Sequence, residues 1–318
     1  MMRNSEIKSL LESTKGKLVS YSPYSFLRDV DFDRLIDDTV IEPLARSVEQ
    51  GSVQAVSFTV EKKQHVFFVR AMAWDTEYFK FPIFRIEHIF YDHADVGVLS
   101  RAINVFVSQH GNRPGGYYSI DIPVEDICLL QGISGSKFKI IEPRNSYHLF
   151  DVQNLFLQGY ETRLADDGDI ESLKKVARTC RNSYDRVHAD PAFSDEIADE
   201  YLATFLEQSV KGFADFTLVP DVPNRAAFGF LASNKPTKVC GTNVAKFVLA
   251  AIDNSVQRGW YYKLTVGQIN LLKKEGADCL RTTTQASNRG SIYTWEKLGF
   301  KQHATSIVFS FRNDVVGV

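Results

Sequence analysis

The sequence is poor in cysteine. Cys128, Cys180, Cys240 and Cys279 are the four present in 318 residues, and no two form a CxxC pair. Such spacing indicates neither a zinc site nor a disulfide framework. Neither sign of charge is in excess: 37 Lys and Arg stand against 39 Asp and Glu, a net charge of −2. A nucleic-acid surface, which needs a basic patch, is therefore not indicated. No apolar run approaches the ~20 residues that span a bilayer, so no membrane partner is expected. The opening MMRNSEIKSLLESTKGK is charged and amphipathic, unlike a signal peptide. The histidines show no metal-ligand spacing, and no metal is assigned. These absences lead to the expectation of a cytoplasmic protein in a reducing compartment. What is present, 44% hydrophobic and 24% charged residues, suits an ordinary globular chain of one large or two medium domains.

Hydrophobic spacing gives an order of elements. Residues 5 to 48 read as mostly helical. Ala55 to Val60 and His65 to Ala73 read as two strands joined by a hairpin at residues 61–64. Ala73-Trp74-Asp75-Thr76-Glu77-Tyr78-Phe79-Lys80-Phe81-Pro82 reads as an aromatic loop before a strand at Phe84. A helix over 98–109, a strand over 117–122, a short helix over 126–132 and strands at 138–141 and 147–150 follow. A second start comes at Glu161, where a strand, a polar turn with Asp169 near a helix N-cap, and Ile170, Leu173, Val176 and Ala177 at helical spacing succeed one another. The expected division is therefore an N-terminal α/β domain over residues 1–154 and a second domain over 155–318. Within the second, Ser194 to Lys211 reads as a helix and Ala226 to Ala232 as a strand. Residues 234–238 read as a turn, and Ser306 to Phe311 as a last strand.

The stretch from Val244 to Phe300 carries the most chemistry. Val244 to Ile252 reads as a strand, and Gln257-Arg258-Gly259 opens a helix on which Trp260, Leu264, Gly267 and Leu271 share a face. Cys279 to Gln285 reads as a strand, and Asn288 opens a shorter helix ending Trp295-Glu296-Lys297-Leu298-Gly299-Phe300. A helix start leaves about four backbone N–H groups unpaired, and with the dipole these attract phosphate. This order resembles the acyl-CoA-binding half of the GNAT N-acyltransferases. The resemblance implies a mixed central sheet flanked by helices. It implies that the strand end Leu249, Ala250, Ala251 and Ile252 pairs with the pantetheine arm of acyl-CoA like an added strand. It further implies that amides from Gln257 and Arg258 through Gly259, Trp260, Tyr261 and Tyr262 to Lys263 hold the pyrophosphate, with Asn288 and Trp295 on the cofactor's side. Tyr261 and Lys263 stand where the family has small residues. Trp295 stands where it often has the tyrosine that protonates the departing thiolate, and an indole N–H has no proton to release. Residues 1–154 lack the Arg-Gly loop and the Leu-Gly-Phe ending, and are read as a partner domain, a degenerate copy of the same fold.

Two further segments bear on the acceptor. Residues 74–82 are similar to a segment near the start of bacterial dTDP-amino-sugar N-acetyltransferases of the dTDP-fucosamine type, which implies acceptor-binding roles for Asp75 and Glu77. Ser183-Tyr184-Asp185-Arg186-Val187-His188-Ala189-Asp190-Pro191 is loosely similar to another segment of those enzymes. Acyl transfer to an amine requires the loss of a proton, donors for the oxyanion and departure of the thiolate. His188 is the type of side chain suited to be the base, with Asp185, Asp190, Glu77 and His88 in reserve. Arg186, whose fork pairs with phosphate oxygens, and Tyr184 are assigned to a nucleotide-sugar acceptor. The expectation is a CoA-dependent N-acyltransferase that moves a short acyl group, acetyl or slightly larger, onto the amine of a nucleotide-linked amino sugar. A dTDP-3-amino- or 4-amino-dideoxyhexose would be acylated by direct attack on the thioester, in the service of surface polysaccharide. A GNAT acting on a protein, antibiotic or aminoacyl amine, and a non-catalytic CoA sensor, are the alternatives. Whether the chain forms a homodimer is left open.

Overall fold

The computed structural model describes residues 2–110, 115–180, 182–253, 255–256 and 259–313. The chain divides into two compact units, Met1–Pro143 with Ala304–Val318, and Arg144–His303. Among the described residues no helix is long and apolar enough to cross a membrane.

The first unit opens with helices α1 (Asn4–Glu12), α2 (Lys15–Leu18), α3 (Phe32–Ile36) and α4 (Glu42–Glu49). Strands β1 (Val53–Val60) and β2 (Lys63–Ala71) form a hairpin whose turn is only Glu61 and Lys62. Both adopt positive φ, 48° and 65°, the left-handed geometry that matches strand twist in a two-residue turn. Helix α5 (Ala73–Phe79) precedes β3 (Ile83–Phe90). This corrects the expected aromatic loop: the segment makes two helical turns, closed by Lys80 at φ 62°, and the Thr76 hydroxyl accepts from the Ile83 amide at 2.9 Å. Helix α6 (Val96–Gln109) then crosses over to β4 (Tyr117–Pro123), which is parallel to β3. Asp95 caps α6, accepting from the Val98 amide at 3.0 Å, and Val98, Leu99, Ala102, Ile103, Phe106 and Val107 form its buried stripe. Helix α7 (Ile127–Ser134) follows. Alternate residues of β2 serve two cores. Phe67 packs with α6 and α7, while Val66 and Phe68 pack with α1 and α4.

Strand β5 (Lys139–Leu149) is continuous where two strands were expected, and from Arg144 it belongs to the second unit. There follow β6 (Thr162–Leu164), α8 (Ile170–Thr179), α9 (Asp195–Gln208), β7 (Phe216–Pro220), β8 (Gly229–Val239) and β9 (Thr242–Ile252). After them come α10 (Trp260–Lys274), β10 (Cys279–Gln285) and α11 (Arg289–Lys297). The sheet of this unit runs β6, β7, β8, β9, β10, β5. All neighbours are antiparallel except β9 and β10, which α10 connects as a parallel crossover. Residues 234–238, expected as a turn, lie inside β8. Pro236 sits where the register with β9 slips, at a bulge that tolerates its missing N–H. The true turn is Cys240-Gly241, both at positive φ. Helix α10 buries Leu264, Thr265, Gln268, Ile269 and Leu272, so its face is rotated from the expected one. Gly267 of the expected face still packs against the sheet, since a Cβ there would meet Thr162 and Leu218 at 2.8 and 2.9 Å.

The last strand, β11 (Lys301–Arg312), begins in the second unit and from Ala304 belongs to the first, where Ser306 to Arg312 pair antiparallel with β4. The expected division after residue 154 differs in both respects: the boundary falls inside β5, and the C-terminal strand completes the N-terminal sheet. Pairing across so long a stretch of sequence leaves no local signal.

Candidate functional site

Strands β9 and β10 are hydrogen-bonded only between residues 244–246 and 279–281. Beyond that they part, while β9 stays paired on its other side with β8 as far as Ile252. A bulge at Ala232/Ser233, opposite Val248, redirects β9 at the point of parting. Among the described residues, the β10-facing backbone groups of 247–252 have no strand partner.

A cavity of about 1240 Å³ opens between the parted strands, and every residue lining it belongs to the second unit. Leu249, Ala250, Ala251 and Ile252 form one wall, and Thr282, Thr283 and Thr284 of β10 the other. Gly259, Tyr261 and Tyr262 from the start of α10, with Asn288 and Trp295 from α11, also line it. Trp260 does not; it turns to Phe228 with ring centroids 5.2 Å apart. Gln257 and Arg258 lie outside the described residues.

One end of the cavity suits an anion. Gly259, at φ 104°, precedes α10, and no side chain caps the helix. Its first-turn N–H groups therefore point outward without intrahelical partners. Lys263 Nζ lies 4.4 Å from the Trp260 ring centroid and 5.7 Å from that of Tyr160. Lys297 Nζ lies 5.0 Å from the Tyr262 ring. Both lysines line the cavity, and neither makes an ion pair among the described residues. A ring face holds an exposed ammonium by only about 0.5–1 kcal/mol, so a phosphate competes readily for it.

The floor is a polar chain. Asn288 caps α11, accepting from the Ser291 amide at 3.3 Å. Its amide donates to Thr284 Oγ1 at 3.0 Å, Thr284 donates to Gln285 Oε1 at 3.3 Å, and Asn182 donates to the same oxygen at 2.9 Å. Trp295 is 3% exposed, packed against Tyr147 and Phe300, and among the described residues no partner meets its Nε1 within hydrogen-bond distance and angle. Tyr261 stands beside it. Burial pushes its phenol up to about 12, against the opposing pull of Ser291, Trp295 and Thr265 close by.

The proposed base lies elsewhere. The His188 side chain is 1% exposed and does not line the cavity. Its Nδ1 meets Asp185 Oδ2 at 2.7 Å and its Nε2 meets Asp199 Oδ1 on α9 at 3.1 Å. Both ring nitrogens face carboxylates rather than the cavity. It fastens the 182–190 segment to α9. Asp185 does line the cavity and is the one carboxylate among the described lining residues. Its Oδ1 accepts from the amides of Val187 and His188 at 2.9 and 3.1 Å. Asp190 is buried and accepts from the Ala192 amide at 2.9 Å, holding a turn. Tyr184 is exposed, and neither it nor Arg186 lines the cavity. Asp75, buried on α5, and Glu77, exposed there, belong to the first unit. So does His88, whose buried ring is pushed down to about 4 by desolvation. Among the described residues no group of three or more His, Cys, Asp or Glu could hold a metal.

Sequence reasoning placed Lys263 at the helix start only through its amide, and missed its side chain, Lys297 and the three threonines of β10 as cavity lining. Lysines placed among Trp260, Tyr261, Tyr262 and Trp295, opposite a helix start, were the available signal.

No protein-family model matches the chain, and no curated protein matches its sequence. Likeness lies in structure. A functionally unknown conserved protein of Staphylococcus epidermidis aligns over 83% of this chain and 97% of its own, with 11% identity and a TM-score of 0.53. A GCN5-related N-acetyltransferase of Sphaerobacter thermophilus aligns over 92% of each chain, with 10% identity and a TM-score of 0.52. A GCN5-related glucosamine N-acetyltransferase region in a fungal multi-domain GH3 beta-N-acetylglucosaminidase aligns over 98% of this chain and 37% of that one, with 11% identity and a TM-score of 0.55. At such identity the likeness establishes the fold alone, a mixed sheet flanked by helices shared with these proteins.

Proposed function

We propose that the second unit is a CoA-dependent N-acyltransferase acting by direct attack of an amine on the thioester. The observation that carries this reading is the continuity of one cavity. It takes in the unpaired edge of β9, Asn288 and the uncapped start of α10, with Lys263 and Lys297, which have no carboxylate partner among the described residues. A pantetheine arm is a chain of amides and pairs with a strand edge. A pyrophosphate suits helix amides and ammonium groups. As the amine nitrogen bonds to the thioester carbon, its proton passes to Asp185, directly or through water, and the C–S bonding pair leaves on sulfur. His188, locked between Asp185 and Asp199, positions that carboxylate.

For the acceptor we propose an amine on a nucleotide-linked amino sugar, with a dTDP-aminodideoxyhexose as the favoured member. Support comes from the sequence resemblance at residues 74–82 and from the glucosamine acetyltransferase region that shares the fold. None of Asp75, Glu77, Tyr184 and Arg186 lines the cavity. A CoA-binding protein without turnover is the second reading, favoured by the engaged state of both His188 nitrogens. Free-thiol release from acetyl- to four-carbon acyl-CoAs, with dTDP-3-amino- and dTDP-4-amino-dideoxyhexoses as acceptors, tests both. Release that depends on one sugar establishes class and acceptor. Silence with CoA still bound by calorimetry favours another amine or the second reading, and silence without CoA binding removes the proposal.

A further inference from the structure

The cavity is lined from both faces of the sheet. In β8, Leu231 packs with the cluster of α10, and Phe230 with the cluster of α8 and α9. In β9, Ala250 and Ile252 turn to the first cluster, and Leu249 and Ala251 to the second. Such alternation is the pleat of a strand. All six of these residues line the cavity, so it passes from one face to the other where β9 and β10 part. On the second face it takes in Ala177 of α8, Cys180 at the end of that helix and Leu202 of α9. With Phe230, Leu249 and Ala251 these wall a limb made of aliphatic, aromatic and thiol groups. Resting on the acyltransferase reading, we infer that this limb holds the acyl chain of the donor, that the donor is an acyl-CoA of butyryl length or longer, and that Ala177 and Leu202 set the length it accepts.

The path of the donor leads there. Its phosphates belong at the start of α10, and β9 ends at Ile252, in the direction of that helix. An arm paired with the free edge of β9 therefore runs back from Ile252 towards Val248. Its thioester comes to lie where the two strands part, beside the bulge at Ala232/Ser233. A chain continuing past the carbonyl has Leu249 beside it and the helix layer beyond. An acetyl group ends one bond past the carbonyl, and its methyl stays in the strand layer. Side chains of α8 and α9 are met only by a longer chain.

Chemistry assigns the limb to the acyl chain and not to the acceptor. The hydroxyls of an amino sugar would lose water against Ala177, Leu202 and Phe230 with no hydrogen bond to offset the loss. The amine has a place of its own in the segment between α8 and α9, where Asp185 lines the cavity and Asn182 ties that segment to Gln285 of β10 at 2.9 Å. Alkyl surface is what the limb can take from water at a gain.

The test is a chain-length series on the full protein. Calorimetry without acceptor, using CoA and its acetyl, butyryl, hexanoyl and octanoyl thioesters, should show affinity rising by about fourfold for each methylene buried. Thiol release with the amine panel should follow the same order in kcat/KM. Leu202→Phe fills the limb, and should lower the ratio of octanoyl- to acetyl-CoA affinity by about fifteenfold, the worth of two methylenes. Leu202→Ala should move the optimum to longer chains, and Ala177→Val should act as Leu202→Phe does. Leu202 is half-buried, so its two variants decide the matter even where Ala177→Val fails to fold. Equal affinity along the series, or a rise that neither Leu202 variant alters, overturns the inference and leaves the acyltransferase reading in place. A rise that both variants alter, with no thiol released to any amine, keeps the limb as the site of the chain and overturns the acyltransferase reading alone.

Discussion

The two units build the same strand pattern and treat its central gap in opposite ways. Each has antiparallel strands, then a parallel pair joined by a crossover helix, then an antiparallel closing strand. The parallel pair is β3 and β4 with α6 in the first, and β9 and β10 with α10 in the second. The closing strand is β11 beside β4 in the first unit and β5 beside β10 in the second. In the second unit the gap is a cavity of about 1240 Å³. In the first, the cavity beside β3 is only about 200 Å³, and Tyr21 and His88 line it. Tyr21 lies edge-on to His88 of β3, centroids 4.7 Å apart, and donates to Asp126, just after β4, at 2.7 Å. Tyr91 donates to the other oxygen of Asp126, and Lys17 sits 4.0 Å above the Tyr91 ring. The helix starts differ likewise. The Asp95 carboxylate occupies the start of α6, where it repels an anion, whereas α10 starts at a bare glycine. Among the helices that follow, Asp126 caps α7 and is consumed by two phenols, while Asn288 caps α11 and faces the cavity. The same scaffold thus gives a plugged unit and an open one, and the difference resides in a handful of polar side chains.

The largest effect should come from breaking the plug. Asp126→Ala removes a helix cap, worth about 1 kcal/mol, and leaves the Tyr21 and Tyr91 hydroxyls without their acceptor at about 1–3 kcal/mol each. A loss of about 3 kcal/mol or more in urea unfolding is expected. Asp126→Asn, which keeps a cap and one acceptor, should lose about 1 kcal/mol for the one phenol left without its oxygen. CoA affinity should be unchanged in both. A tolerated Asp126→Ala would show that the gap in the first unit is not held shut by this residue.

A smaller effect distinguishes the units by pH. Desolvation depresses His88 in the first unit from 6.5 to about 4, and His303 in the second to about 4, with His148 and Arg281 contributing. As pH falls below 6.5, the unfolded chain takes up a proton that the fold refuses. Stability therefore declines with falling pH, by about 1.4 kcal/mol per unit for a buried group such as His88, until about pH 4, where the folded form is protonated too. His88→Asn should flatten this limb in denaturation followed through the first unit, and His303→Asn through the second. A limb unchanged in His88→Asn would mean that burial does not suppress its charge.

Much of the frame was legible in the sequence because its signals are local. The α8 stripe of Ile170, Leu173, Val176 and Ala177 is buried as the spacing requires. The strand-helix-strand-helix order from Thr242 to Lys297 follows from residues within a few turns of one another. Helix α5 was read as a loop because Met72 before it is no capping residue and Lys80, which closes it in the left-handed region, is not the Gly or Asn usual there. The fate of β11 was hidden because Phe309 and Phe311 pair with Ile120 and Tyr118, far back in the chain. The site divides in the same way. Leu249 to Ile252, Asn288 and Trp295 were placed by order along the chain. The place of His188 outside the cavity was not legible, because its second carboxylate, Asp199, arrives from α9, a contact that no spacing rule announces.

The finest test of the comparison is stoichiometry. If a capped helix start and a plugged gap exclude CoA from the first unit, calorimetry gives one CoA per chain. Lys263→Ala and Lys297→Ala should each weaken that binding by about tenfold, or 1.4 kcal/mol, with a smaller salt dependence, since each removes one ammonium from the phosphate end. Asp95→Asn relieves the repulsion at α6 and still should not create a second site, because Tyr21, Tyr91 and Asp126 continue to fill the gap. A second CoA in the wild type would mean that the plug is displaceable and that the two units differ in affinity rather than in kind. A second CoA only in Asp95→Asn would place the whole difference at the helix start, and assign the tyrosines to stability alone.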